Sequence, residues 1–101
     1  MIIYNVTVGV DHSIAAEWLT WMKEEHIPEL MATGLFEDAR LCKILMQDET
    51  EGLTYTAQYF CKTMSEYDSY ISDHADTMRA KGIDRFGDKF VAFRTIMEIV
   101  S

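Results

Sequence analysis

The stretch Trp18-Leu19-Thr20-Trp21-Met22-Lys23-Glu24-Glu25-His26-Ile27-Pro28 holds both tryptophans, the only proline and a Glu-His pair. At about 100° per residue, Ile14, Ala15, Trp18, Leu19, Trp21 and Met22 form one arc, with Glu17, Thr20, Lys23 and Glu24 opposite. The spacing predicts an amphipathic helix over 14–32 that covers a sheet. Glu25 follows Trp21 by four and Trp18 by seven, which places it inside the apolar arc. His26 follows Met22 by four and falls at the arc's edge. Pro28 has no backbone N–H to donate, so the helix should kink or restart there, and Gly34 supplies its stop.

On the N-terminal side, residues 2–10 alternate. Ile2, Tyr4, Val6, Val8 and Val10 share one face, and Ile3, Asn5, Thr7 and Gly9 share the other, as a strand with one strongly apolar side requires. Asp11 or Ser13 then offers an N-cap. On the C-terminal side, 36–47 predicts an edge strand, because both of its faces carry charge. Asp48 to Gly52 is a polar hairpin loop, and 53–62 alternates again, with Leu53, Tyr55, Ala57, Tyr59 and Cys61 on one face. Thr63-Met64-Ser65-Glu66 is a capping box. It opens a second helix with the stripe Met64, Tyr67, Tyr70, Ile71, His74, Ala75 and Met78, ended by Arg79, Lys81 and Gly82. A last strand spans 89–100, with Val91, Phe93, Thr95, Met97 and Ile99 opposing Phe90, Ala92, Arg94, Ile96 and Glu98.

The order is β-α-β-β-α-β, the split βαβ, ferredoxin-like arrangement: an α+β fold with a four-stranded antiparallel sheet and both helices on one face. The whole of 1–101 is expected to be one such domain, since a chain of 101 residues has room for a single core and benefits from further burial by association. On the second sheet face we expect Asn5, Thr7, Thr54, Thr56, Gln58 and Arg94 beside Ile3, Phe60, Phe90 and Ile96. That mixture is too apolar for a solvated sheet and too polar for a core, which predicts a homodimer through the open face.

Composition excludes several function classes. A net charge of −8 with no Lys/Arg cluster argues against nucleic acid and anionic membrane as partners. The opening Met1-Ile2-Ile3-Tyr4-Asn5 has no basic n-region and no later run approaches membrane-spanning length, so a cytoplasmic location is expected. Cys42 and Cys61 should then be free thiols. With His26 and His74 they have none of the recognised metal-ligand spacings, so no metal is expected; no Gly-rich phosphate loop, nucleophile elbow or Ser/His/Asp set appears, and no cofactor is expected.

Trp18-x-x-Trp21 followed by His26-Ile27-Pro28 resembles the aromatic-then-His-x-Pro helix of the dimeric α+β barrel superfamily. That superfamily includes cofactor-free monooxygenases, haem-handling enzymes and small isomerases. More closely, the chain resembles a bacterial family catalogued as domain of unknown function 4286. The segments 1–7 and 18–28, Gln58-Tyr59-Phe60 and Lys89-Phe90-Val91-Ala92-Phe93-Arg94 carry that likeness over nearly the full length. The resemblance implies a ferredoxin-like fold and a dimer, and no reaction.

The residues themselves point to one place for chemistry. Tyr4, Tyr55 and Tyr59 share the helix-facing side of the sheet, and buried phenols need partners for their hydroxyls. With Trp18, Trp21 and Met22 opposite, they outline a small-molecule site between helix 14–32 and the sheet, or else a closed polar network within the core. His26, Glu25 and His74 are the candidate catalytic groups, because a carboxylate or imidazole in an apolar layer has a shifted pKa and can move a proton. Against this, structural ion pairs and satisfied core histidines outnumber catalytic ones. Arg40 and Arg94 suit ion pairs with Asp38 or Glu98 better than a ligand. Three functions remain open: a dimeric small-molecule-binding protein, a cofactor-independent monooxygenase- or isomerase-like enzyme, and a structural homodimer without ligand.

Overall fold

The computed structural model describes residues 1–101. Strand β1 (Ile2–Asp11) runs through the middle of a four-stranded antiparallel sheet. It pairs with β3 (Gly52–Cys61) on one side and β4 (Phe90–Glu98) on the other, and β2 (Asp38–Lys43) pairs with β3 at the edge. The order β2-β3-β1-β4 is that of a ferredoxin-like sheet. No helix is long and apolar enough to cross a membrane.

Two helical covers lie on one face. The first begins at a 3₁₀ turn, His12–Ile14, whose Ser13 N–H donates to the Asp11 carboxylate at 2.8 Å. It continues as α1 (Ala15–Trp21), a π turn (Met22–His26) and α2 (Ile27–Ala32), and stops at Gly34, whose φ of 77° suits a residue without a Cβ. The second comprises α3 (Met64–Asp73) and α4 (Ala75–Phe86), joined at His74. Thr63 and Glu66 close the expected capping box: the Thr63 N–H donates to the Glu66 carboxylate at 3.0 Å, and the Thr63 hydroxyl donates to the same oxygen.

Arg79, Lys81 and Gly82 do not end the second cover. The helix runs on to Phe86 and stops at Gly87, where φ is 60°. Gly82 serves packing instead. A Cβ there would stand in ordinary van der Waals contact, 3.5 Å from the Trp21 ring and 3.6 Å from Phe90, so Gly82 is a buried position where α4 meets the first cover and the sheet.

Between covers and sheet lies the core, with Tyr59, Leu30, Trp18 and Tyr70 all buried to 2% exposure or less. The inward face of β1 is the one its alternation predicts. The faces of β4 are the reverse of the expected ones. Tyr4 stands beside Ile96, Val6 beside Arg94 and Val8 beside Ala92, so Phe90, Ala92, Arg94 and Ile96 look toward the helices. Val91, Phe93, Thr95 and Met97 are on the open face, next to Gly9, Thr7, Asn5 and Ile3. Both sides of β4 are apolar, so hydrophobicity alone does not choose between them; pairing with β1 does.

Candidate functional site

The π turn of the first cover positions the first group. The Ile27 N–H bonds to the Met22 carbonyl, five residues back rather than four. Pro28 explains the location: it brings no N–H, and its ring would strike the Glu24 carbonyl in a regular α-helix. One extra residue per turn carries His26 to the place on the apolar arc where α spacing puts Glu25. The His26 ring stacks on Trp21 with centroids 4.4 Å apart and planes 21° from parallel.

Glu25 accordingly does not enter the apolar layer. It is exposed and accepts a hydrogen bond from Arg85 at 3.2 Å, while the same guanidinium reaches Glu17 at 3.4 Å. Arg85 thus links the two covers along their outer edge.

Inside, a cavity of about 60 Å³ separates the covers from the sheet, and 13 of its 17 lining residues are hydrophobic. That is room for a few waters or a short organic molecule. Trp18, Trp21, Met22 and His26 form the wall from the first cover, and Tyr70, Met78 and Arg79 the wall from the second. Tyr4, Tyr59, Ala92 and Arg94 form the floor. Around the tyrosines the rings pack at tilted angles: Tyr4 lies 5.8 Å from Tyr59 with planes 30° apart, and 5.5 Å from Tyr70 with planes 47° apart. Burial, and then neighbouring phenols, push the Tyr59 and Tyr70 hydroxyls well above the ordinary phenol range.

The polar groups converge on Tyr4. Arg79 Nη2 donates to the Tyr4 hydroxyl at 3.3 Å and Arg94 Nε donates to it at 3.2 Å. Neither arginine has a carboxylate within ion-pair distance, whereas Arg85, Lys43, Lys62 and Lys81 each have at least one. Arg94 therefore makes no ion pair with Glu98, and Arg40 none with Asp38. Arg40 sits over the Phe60 ring, 5.4 Å from its centroid. Two buried polar atoms have no partner, Arg79 Nε and His26 Nδ1, and both residues line the cavity. Burial lowers the His26 pKa to about 4, with Lys81 and Arg94 pushing the same way and Glu29 opposing, so the ring is neutral near pH 7.

Of the residues singled out from sequence, Tyr4, Tyr59, Trp18, Trp21, Met22 and His26 meet around one cavity. Tyr55 is buried beside it, its ring 5.3 Å from Trp18, and does not line it. His74 occupies the joint between α3 and α4, half-buried and 6.3 Å from Tyr70, and stays off the cavity. Arg79 and the cavity role of Arg94 escape sequence reasoning. Arg79 looks like a charge at a helix end, and Arg94 depends on the register of β4. Pairing Val6 with Arg94 would have found the second of these. No three His, Cys, Asp or Glu side chains stand together as a metal would require. Cys42 is exposed, and Cys61 is buried with its thiol 3.6 Å from the Thr63 carbonyl; both are free.

The family model described as "Domain of unknown function (DUF4286)" matches residues 1–100. Among solved structures, the chain is similar to a dimeric ferredoxin-like protein from an uncultured marine organism, with a TM-score of 0.73 and 12% identity over 99% of this chain and 95% of that one. It is also similar to an "ethyl tert-butyl ether d (ethd) family protein" from Bacillus halodurans, with a TM-score of 0.66 and 12% identity over 99% of this chain and all of the other. At such identities the likeness establishes the ferredoxin-like fold. No curated protein matches the chain.

Proposed function

We propose that this chain, which belongs to the DUF4286 family, is a small cytoplasmic one-domain protein that binds a small molecule in the layer between its first helical cover and the sheet, and does so as a homodimer. The observation that carries this reading is the cavity itself: an apolar enclosure with a few convergent polar groups, two of them with buried unpaired nitrogen atoms. A purely structural dimer has no use for such groups, each of which costs free energy when left unsatisfied.

Both tryptophans line the cavity, so their fluorescence reports occupancy. A fragment screen should yield ligands that shift this signal, and Ala92→Leu, which fills the floor, should abolish the response. Binding that survives this substitution would sink the proposal.

A second reading, a cofactor-independent enzyme with His26 moving a proton, draws on the unpaired His26 Nδ1 at the cavity wall. A base with a pKa near 4 captures a proton poorly at neutral pH, so binding is the better-supported function. A His26→Ala variant that keeps ligand affinity and loses turnover would reverse that preference.

For the dimer, the support is the open sheet face. There Phe93 is 68% and Val91 61% exposed, beside the polar Asn5, Thr7 and Gln58. A similar solved structure is described as dimeric. A monomer at micromolar concentration in sedimentation equilibrium would reject this part.

A further inference from the structure

We infer that the ligand of this cavity is a short-chain organic monoanion, its carboxylate held by Arg79, Arg94 and the Tyr4 hydroxyl and its hydrocarbon part against the tryptophan wall. The inference rests on the small-molecule-binding reading above and adds the chemical class.

The polar end of the cavity is rich in donors. A phenol oxygen has two lone pairs and one hydrogen. With Arg79 Nη2 and Arg94 Nε both donating to it, both acceptor sites of Tyr4 are taken and its O–H is left to point toward an acceptor. Each guanidinium carries five N–H groups and spends one on Tyr4. Arg79 Nε is buried and unspent. In a chain with 17 acidic residues and 9 basic ones, these two arginines are without a carboxylate, so the site presents positive charge that the protein does not neutralise. Partly buried cations of this kind are strongly stabilised by an anion that hydrogen-bonds to them, and guanidinium matches carboxylate geometry in particular. A cationic ligand is excluded by the same field.

Size and lining set the rest of the molecule. About 60 Å³ admits only a few heavy atoms beyond the headgroup, and the hydrophobic lining favours a hydrocarbon tail over a second polar group. Arg94 is exposed and lines the cavity, so it can meet the anion from solvent; Arg79 lines it too and is half-buried.

The test titrates the full chain with sodium butyrate and with butyramide, its neutral isostere, at pH 7 and low chloride, following tryptophan fluorescence. Butyrate should bind at least tenfold more tightly than butyramide. In Arg94→Met, a substitution at an exposed position, and in Tyr4→Phe, that preference should shrink at least tenfold. Equal affinity for the two probes, or an unchanged preference in both variants, would overturn the anion class and leave the binding cavity standing. No response to butyrate would also overturn the inference, while the fragment screen with Ala92→Leu decides the binding reading beneath it.

Discussion

The two helical covers are each interrupted in the middle, and each interruption ends at a histidine. In the first, Pro28 imposes a π turn that keeps the helix continuous and rotates the chain by one residue. In the second, the helix breaks at His74, where φ is −131°, and restarts as α4. The outcomes differ. His26 is turned into the apolar layer, stacked on Trp21 with Nδ1 unpaired, whereas His74 stays half-buried beside Tyr70 and off the cavity. A wider turn re-aims side chains without releasing the helix; a break releases it and re-aims nothing inward.

The largest expected effect separates the covers by what they bury. Trp18, 2% exposed against Tyr55, anchors the first cover; Trp18→Ala should cost about 3–5 kcal/mol in urea denaturation. Ile83 on the second cover is 59% exposed, and Ile83→Ala should stay within about 0.5 kcal/mol. Equal losses would mean that the covers are energetically alike.

Next comes protonation. The folded-state pKa of His26 lies near 4, below its ordinary 6.5, so the unfolded chain takes up the proton first as pH falls. The stability tied to the neutral ring is complete above pH 6.5 and is lost as pH drops toward 4, in all about 3 kcal/mol. Glu29, Lys81 and Arg94 are the charges that bear on it. Comparing stability at pH 7 and pH 4.5 in His26→Phe should show that this component is gone, while His74→Phe should keep it. An unchanged pH dependence in His26→Phe would contradict the burial of the ring.

Pro28→Ala is a smaller perturbation with a sharper readout. Without the proline, the ordinary α ladder becomes available, His26 should swing off Trp21, and the Trp21 indole resonance should shift while stability changes by only about 1 kcal/mol. An unaltered indole signal would show that something other than Pro28 holds the π turn. The smallest effect belongs to the outer tie between covers: Arg85→Ala, losing exposed pairs with Glu17 and Glu25, should cost less than about 1 kcal/mol and less still in high salt.

Much of the fold is legible in residue order because its signals are local. The alternation of β1, the Thr63–Glu66 box and the stop at Gly34 each depend on neighbours a few positions apart. What escapes is set by distant partners. The faces of β4 follow from its register with a strand some 90 residues earlier. Gly82 reads as a stop until Trp21 is seen against it. For the candidate site, the tyrosine–tryptophan layer was visible in the pattern. The exchange of Glu25 for His26 was not, because α spacing cannot anticipate a π turn. Nor was Arg79, whose partner Tyr4 is 75 positions away.

Tyr4 lies near one end of the chain and Arg94 near the other, yet a hydrogen bond joins them and their strands are adjacent in the sheet. Closing β4 onto β1 requires a loop of nearly the full chain length, so this pairing carries a high contact order and belongs among the late steps of folding. Until it forms, β1 is an unpaired apolar edge, open to pairing with other chains. The cavity floor exists only after that closure. A ligand held there would bind the finished fold and no earlier state, and would draw newly made chains out of the aggregation-prone ensemble by mass action.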